Sequence, residues 1–284
     1  MNSKKIIKRT LTGIVLVFIL TISAGVIFSI IYKDKIIAYF LRETNKHITT
    51  PIDVGKIDVS VFSHFPNISI NLQNVTIKES SNDHRGVLGK AKMISLLFNP
   101  LDLLNKNYTI SGLHLSDVEV KLKIDKNGNP NYLFYKKDST SKGATLALQN
   151  ITGEKLKIDY LDRKSDYHVA IYIKKTNSRL THQDKILKVS VNGNLVSDEI
   201  RIADRTFFNN KVIDIETDLE WDLQNRDYNF KSGKLKIDKG EFEVTGKIDV
   251  MKKNINLKIN GVKTTFQTIN SLLSSDLSKY FKDY

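Results

Sequence analysis

The six histidines are the side chains of this chain best suited to metal binding or acid–base chemistry. They are His47, His64, His84, His114, His168 and His182. No two of them have the close spacing of a zinc-binding pair. The chain has no cysteine, which excludes thiolate metal ligands, cysteine nucleophiles and disulfides. We therefore expect each histidine to be a surface or turn residue, and the sequence predicts no metal site.

The segment DKNGNPNY at 125–132 begins like a calcium-binding loop, with Asp, Asn and Asn at alternate positions. Such a loop needs glycine at its sixth position and a bidentate glutamate at its twelfth. This sequence has Pro130 and Lys136 at those two positions. We interpret the segment as a hairpin turn.

Recognisable catalytic motifs are absent from the sequence. It has no G-x-S-x-G elbow, no H-E-x-x-H pair and no glycine loop for phosphates. Adjacent carboxylates such as Asp198 and Glu199 point to opposite faces of an extended strand, so they do not form an acid–base pair. We expect no catalytic residue, no cofactor and no enzymatic activity.

The formal net charge of +13 raises the question of nucleic-acid binding. The lysines alternate with apolar residues along predicted strands, whereas a nucleic-acid site gathers them into a patch with interleaved aromatics. Such lysines are typical of the solvated face of a sheet, where they also discourage aggregation through strand edges. We expect no nucleic-acid partner, and the basic surface is compatible with weak attraction to anionic lipid headgroups.

The pentapeptide KLKID occurs at 121–125, 155–159 and 234–238, at irregular spacing. Each copy puts Leu and Ile on one face of an extended strand and the charged residues on the other. The same alternation predicts strands through most of the chain after residue 51. The predicted strands are 57–61, 68–72, 75–77, 93–98, 109–115, 118–125, 156–160, 168–174, 186–191, 211–221, 228–238, 242–250 and 255–262.

Short turn sequences separate these strands and favour a long curved, mainly antiparallel sheet. The turn signals are 126–129, Asn192-Gly193, Lys239-Gly240 and Asn260-Gly261. The alternation shifts by one residue at Asn74, which indicates a bulge or a turn. Short helices are predicted at about 100–106 and 265–281.

Residues 11–32 contain no charge and are apolar throughout. As a helix they would span roughly 33 Å, enough to cross a hydrocarbon core of about 30 Å. A cleaved signal peptide would have a shorter apolar region ending in small residues. The basic residues before the run favour a cytoplasmic N-terminus. They are Lys4, Lys5, Lys8 and Arg9.

The sequence therefore predicts four segments and a mainly β fold. Residues 1–10 form a cytoplasmic basic tail, 11–32 a single transmembrane anchor, 33–50 a short amphipathic helix and 51–284 a β-rich domain. A weak internal boundary is expected near 138–143. The apolar face of the sheet must be covered, and a sandwich, a closed barrel or an open gutter filled by a ligand would each achieve this.

Four segments resemble the N-terminal region of AsmA family proteins. They are PIDVGKIDVSVFSHFPNISINLQNVTIKES at 51–80, AKMISLLFNPLDLL at 91–104, SGLHLSDVEVKLKIDKNGNPNY at 111–132 and VKTTFQTINSLLSSDLSKYF at 262–281. The resemblance extends over nearly the whole chain. It implies an inner-membrane-anchored, periplasmic β-groove protein of Gram-negative bacteria, related to proteins that carry phospholipid between membranes.

On this resemblance, the apolar strand face would shield phospholipid acyl chains and contribute to lipid transport and outer-membrane biogenesis. The expected groove-lining residues are Val59, Val61, Ile68, Ile70, Leu72, Val118, Val120, Leu122, Ile124, Leu156, Ile158, Leu235 and Ile237. The expected partners are phospholipid, the inner membrane and other envelope proteins. The alternative is an anchored assembly factor for outer-membrane proteins that carries no lipid.

Members of that family continue for hundreds of residues beyond the region matched here. A dozen strands at about 4.8 Å spacing give a gutter of only about 60 Å. The chain is therefore expected to be a truncated or short family member that works with partners or as a collecting end.

Overall fold

The computed structural model describes residue 50 and residues 52–80, 86–105, 107, 109–133, 146–225, 227–249, 251–252 and 254–280. Twelve strands form a single sheet in this part of the chain. Their bounds are β1 Ile52–Ser60, β2 Ile68–Lys78, β3 Val87–Phe98, β4 Ile110–Ile124, β5 Leu146–Asp162, β6 Tyr167–Gln183, β7 Ile186–Ile202, β8 Arg205–Phe207, β9 Lys211–Asp222, β10 Asp227–Ile237, β11 Gly240–Asp249 and β12 Asn254–Lys263.

The strands follow the chain order across the sheet, from β1 at one end to β12 at the other. Only the short β8 leaves this path, where it pairs with the end of β7. β1 and β12 do not pair with each other, so the described sheet is open and curved. The described strands thus form neither a closed barrel nor two stacked sheets, and the open gutter is the shape that agrees with them.

One strand pair corrects the prediction of an antiparallel sheet, because β4 and β5 run parallel. Twenty-one residues separate Ile124 from Leu146. Two neighbouring strands are parallel only if the connection brings the chain back to the end of the sheet at which the first strand began. A connection of that length can do so, whereas a hairpin turn cannot. The other pairs along the path are antiparallel.

The middle strands are longer than the sequence predicts. β5, β6 and β7 each contain 17 residues, and β4 joins two predicted strands into one. Two of the expected turns are also wrong, because Asn192-Gly193 lies inside β7 and Asn260-Gly261 inside β12. The turn at Lys239-Gly240 is confirmed between β10 and β11.

A row of six residues that the ladder pairing skips explains why the sequence divides β4 into two predicted strands; we call it the phase row. It runs across the sheet from β1 to β6 through Gly55, Asn74, Lys92, Asp117, Lys155 and Lys174. Pairing resumes in the same register on either side of the row in all five strand pairs. At β7 the row ends in a bulge, where Lys174 is the extra residue.

At the phase row the alternation of apolar and polar residues shifts by one position, which we call a change of parity. On β2, Leu72 precedes the row and Val75 follows it, and both belong to one buried cluster. Left-handed backbone at Asn74, Asp117 and Lys155, with φ of 53°, 50° and 55°, turns the strands there. The row thus keeps the apolar side chains on one physical face of the sheet, which we call the inner face.

Among the described residues, three five-residue helices accompany the sheet: α1 Pro100–Leu104, α2 Phe266–Asn270 and α3 Ser275–Lys279. The first confirms the helix predicted near 100–106. The predicted helix at 265–281 is instead two helices, because Ser274 is extended, with φ −66° and ψ 154°, and begins α3 as its N-cap.

Several predictions concern residues outside the described part of the chain. They are the basic tail at 1–10, the anchor at 11–32, nearly all of the amphipathic segment at 33–50 and the boundary near 138–143. Among the described residues, no helix has the length and apolar character needed to cross a membrane.

The left-handed backbone of the phase row predicts a stability difference at Asn74. Asn74→Val should destabilise the fold by about 1–2 kcal/mol, because a β-branched residue resists this conformation. Asn74→Gly should lose less, since glycine has no side chain to clash. Denaturant unfolding followed by far-UV circular dichroism measures both, with Gln73→Val as the control at a neighbouring ordinary position. Equal midpoints for Asn74→Val and Asn74→Gly would contradict this account of the row.

Candidate functional site

The inner face of the sheet is the candidate site, and strand pairing builds it in cross-strand rows. One row joins Thr176 of β6 to Gly193 of β7, Ile215 of β9, Leu235 of β10 and Phe242 of β11. On the other side of the phase row, Val118 of β4 pairs with Leu156 of β5, and Leu156 pairs with Ile173 of β6. The inner face is therefore continuous along the sheet.

At the β1–β4 end, the chain's own side chains fill the inner face. Ile70 is fully buried, and Leu72 and Phe98 are 5% and 3% exposed. Helix α1 adds Leu103 to this cluster, where it is 3% exposed. Asn99 accepts a hydrogen bond from the Leu101 amide and so caps the start of that helix. This end of the sheet is an ordinary hydrophobic core.

From β6 to β12 the inner face opens into a cavity of about 610 Å³. The row of Thr176, Gly193, Ile215, Leu235 and Phe242 forms its floor, and Val262 of β12 borders it. The charged or amide residues on either side of each member of the row also line the cavity. This volume lies within the range of about 300–1,000 Å³ typical of small-molecule sites. The cavity is wide because its floor begins with two small residues.

Glycines add to the width of this region. Gly193 lies so close to β6 that an added Cβ would be 2.9 Å from the Lys175 carbonyl oxygen. On β10, Gly233 is opposite Thr217 of β9, and an added Cβ there would be 3.0 Å from the Val244 carbonyl oxygen. Both of these oxygens belong to the backbone, so a larger side chain at either glycine requires a backbone shift. Gly193 lines the cavity, and substitution there cannot readily fill it.

The segment after β12 folds back over one border of the inner face. Leu272, at 9% exposed, packs with Ile213, Ile237 and Phe242. Its carbonyl oxygen accepts a hydrogen bond from the Phe208 amide at 3.1 Å. An ion pair of 2.9 Å between Arg205 and Asp276 holds α3 beside β8. The segment therefore covers Ile213, Ile237 and Phe242 near the β10–β11 turn.

An aromatic pair lies at the opposite ends of these strands. Trp221 and Tyr228 stack with ring centroids 5.5 Å apart and an interplanar angle of 25°. They pair across β9 and β10, and Tyr228 pairs in turn with Ile248 of β11. The inner face therefore ends in aromatic rings on this side and in the Leu272 cluster on the other.

The structure divides the predicted groove residues between these regions. Those in the filled core or packed against it are Val59, Val61, Ile68, Ile70, Leu72 and Val118. Those along the middle of the sheet are Val120, Leu122, Ile124, Leu156 and Ile158, of which only Leu156 is buried, at 7% exposed. Leu235 lines the cavity, and Ile237 is buried in the Leu272 cluster.

Sequence reasoning missed the residues that give the cavity its shape. Thr176 and Gly193 are small and were not expected to line a groove, although they occupy inner-face positions of β6 and β7 and line the cavity. Alternation identifies apolar strand faces, but it assigns small residues to neither face. The phase row added a second obstacle, because it reverses the parity within β6.

The outer face carries charged groups in cross-strand contacts. Asp117 is paired with Lys92 at 4.0 Å and Lys155 at 3.7 Å within the phase row. A hydrogen bond and the charge of Lys121 lower the pKa of Glu119, and Glu119 raises the pKa of Lys121 in the same way. These shifts favour the charged forms of Glu119 and Lys121, which keep the outer face hydrated.

Asp218 gives a second example on β9. Hydrogen bonds from Ser190 at 2.6 Å and Ser232 at 3.0 Å hold the pKa of its carboxyl below the ordinary value. Each serine belongs to a strand that pairs with β9. Hydrogen bonds between side chains therefore link neighbouring strands on the outer face, as apolar contacts do on the inner face.

The histidines are less isolated than the sequence indicates. The rings of His64 and His114 are 5.0 Å apart, and His114 Nδ1 lies 2.8 Å from the Thr152 hydroxyl. Burial, followed by the nearby His114, lowers the pKa of His64. In the described ranges, no cluster of three or more His, Asp or Glu side chains is placed to hold a metal ion.

The predicted turn at 125–129 is confirmed in detail. The Asp125 carboxylate accepts hydrogen bonds from the amides of Asn127 and Asn129, both at 2.8 Å. These bonds lower the pKa of Asp125, with Asn129 as the main cause. The carboxylate is therefore occupied by its own loop.

The difference between the filled and the open parts of the inner face predicts different costs of truncation. Ile70→Ala should destabilise the protein by about 2–5 kcal/mol, as expected for a fully buried residue. Leu122→Ala should cost much less, because Leu122 is already partly exposed. Thermal or denaturant unfolding of lipid-free protein measures both. Similar losses for both variants would mean that Leu122 is packed as tightly as the core.

Comparison with known proteins gives one positive result. No curated protein matches the chain. The model of the AsmA family matches residues 1–279, which is nearly the whole sequence. The chain belongs to the AsmA family.

Proposed function

We propose that this protein is a membrane-anchored groove that shields phospholipid acyl chains from water during lipid transport in the bacterial envelope. The cavity over β6–β12 carries the proposal, because an apolar inner face remains there that the described side chains do not fill. Family membership and the open sheet support it. The proposal requires no bond-breaking step and no cofactor.

The energetics favour an acyl chain as the occupant. Each methylene that leaves water contributes roughly 0.8 kcal/mol, without any need for directed polar contacts. The cavity floor supplies apolar contact through Ile215, Leu235 and Phe242. A charged headgroup could remain at the border, in contact with water and with the lysines of the outer face.

The proposed location follows from the sequence of the first 50 residues. We propose that 11–32 anchors the protein in the bacterial inner membrane, that 1–10 is cytoplasmic and that the sheet is periplasmic. A contribution to outer-membrane biogenesis, with contacts to other envelope proteins, is part of the same proposal.

A second candidate is an anchored assembly factor that contacts outer-membrane proteins and carries no lipid. The filled core at the β1–β4 end favours it, because Ile70, Leu72 and Phe98 leave no room for a ligand there. The two candidates differ in what occupies the β6–β12 cavity.

Lipid binding can be tested with one residue of the cavity floor and one exposed residue outside the cavity. Leu235→Glu places a charge on the half-buried floor, and Lys157→Glu places the same residue on the exposed outer face of β5. We expect wild type and Lys157→Glu to copurify with phospholipid and Leu235→Glu to lose most of it, as measured by native mass spectrometry and lipid extraction.

A second variant avoids a charge altogether. Thr176→Phe should fill part of the cavity and lower lipid content while circular dichroism stays unchanged. Folded wild-type protein without lipid would overturn the carrier proposal and favour the assembly factor.

The absence of cysteine allows the membrane orientation to be tested by labelling. Ser3→Cys and Lys157→Cys each introduce a single thiol, one before the proposed anchor and one on the outer face. With a membrane-impermeant maleimide and intact inner membranes, we expect Lys157→Cys to be labelled and Ser3→Cys to react only after permeabilisation. The reverse result would invert the proposed orientation, and labelling of both would argue against a spanning segment.

A further inference from the structure

The two ends of the sheet differ in how much apolar surface they expose. At the β12 end, Ile255 is 68% exposed, Ile259 63% and Val262 54%. Their neighbours on β11 are half-buried or buried. Strand β12 therefore presents an apolar face beside a free edge, since it pairs only with β11 among the described strands.

Exposed edges of this kind invite pairing with another strand. The protective charges of β12 lie on its outer face, at Lys258 and Lys263. On its inner face, Ile255, Leu257 and Ile259 are all apolar. The edge is thus protected on one face only, and a suitable partner strand would need an apolar inner face and acidic residues on its outer face.

We propose that β12 pairs with β1 of a second copy of this chain, head to tail, so that the inner face continues from one copy into the next. Strand β1 has the required pattern: Asp53 and Asp58 alternate with apolar residues that pack in the core. Among the described strands, β1 pairs only with β2. The proposal goes beyond lipid binding and does not depend on what occupies the cavity.

Charge spacing selects one register. The two lysines of β12 are five residues apart, and so are the two aspartates of β1. In an antiparallel pair with Asp53 opposite Lys263, Asp58 comes opposite Lys258. Lys263 already forms an ion pair of 3.5 Å with Glu241 of its own chain, which Asp53 would join. Oppositely charged residues that face each other across strands stabilise the pair.

The same register also matches the apolar residues. It places Ile57 opposite Ile259 and Val59 opposite Leu257. Val54 comes opposite Val262, which borders the cavity. Every one of these residues except Val262 lies at an inner-face position of the regular ladder. The apolar faces of the two copies would therefore be continuous.

The phase row provides an independent match. It begins on β1 at Gly55, and the proposed register puts Gly55 opposite Gly261 of β12. Strand β12 has its own irregularity at that point, because Val262 is an extra residue in its pairing with β11. The change of parity on β1 therefore lies opposite the bulge on β12. The inner-face residues of the two strands thus stay opposite each other on both sides of this point.

Other arrangements lose these matches. Moving the register by two residues in one direction puts Lys56 opposite Lys258, and like charges that face each other are destabilising. A two-fold pairing of β12 with β12 brings the lysine-bearing outer faces of both copies together.

Strand β1 already runs opposite to β12 in the sheet, so head-to-tail addition needs no inversion of the second copy. Such an interface does not close on itself by symmetry and can extend the groove.

Disulfide trapping can test this interface, because the chain has no cysteine of its own. Full-length Asp53→Cys and Lys263→Cys are purified separately in detergent, mixed and oxidised. Facing residues of neighbouring strands are close enough for a disulfide. We expect the mixture to give several-fold more cross-linked dimer than either variant alone. Lys56→Cys with Asn260→Cys provides a second pair in the same register.

The matched control mixes Asp53→Cys with Asn256→Cys. Asn256 lies on the same face of β12 as Lys263 but seven residues away, and each residue adds about 3.3 Å along a strand. All substituted side chains are in exposed positions, so each variant should keep the wild-type circular dichroism. Asp58 is left unchanged because it has an interaction within its own chain. Equal cross-linking in the control, or no dimer in either in-register mixture, would overturn the proposal. Dimer from Lys263→Cys alone would instead show the two-fold pairing.

Discussion

The need to keep most apolar strand residues on one face without interrupting the backbone hydrogen bonds governs this structure. Strands of 17 residues far exceed the usual length of about 5–6. The phase row meets this need by changing the parity of six neighbouring strands at the same place. Because the change occurs in register, the ladder continues on both sides. Bulge-like turns of this kind also bend strands, which is consistent with the curved sheet.

The sequence predicted the fold class, the family and most strands, because alternation with period two is a local property. It failed where the signal depends on neighbouring strands. The parity change at Asp117 looked like the end of one strand and the start of another, although β4 passes through it. Asn192-Gly193 looked like a turn, yet Gly193 forms part of a cavity floor. Only the pairing of β6, β7 and β9 reveals that role.

The inner face changes character along the sheet, and this gradient has a physical reason. At the β1–β4 end, large residues such as Ile70 and Phe98 complete a core that stabilises the fold. In the middle, Thr176 and Gly193 leave a space that the chain does not fill itself. A protein with a fully filled inner face would be more stable but could not bind an apolar ligand there. The stable end can therefore support a less stable, open region.

The outer face explains why the sheet remains a single layer. A second sheet packed against it would have to remove water from Asp117 and its two lysines and from the serine-bonded Asp218. Desolvating such groups costs more than their new contacts would return. Apolar material can therefore approach only from the inner side, and further strands can join only at the edges. The charge pattern that keeps the sheet in water thus directs both a ligand and a second copy to the two places where burial is favourable.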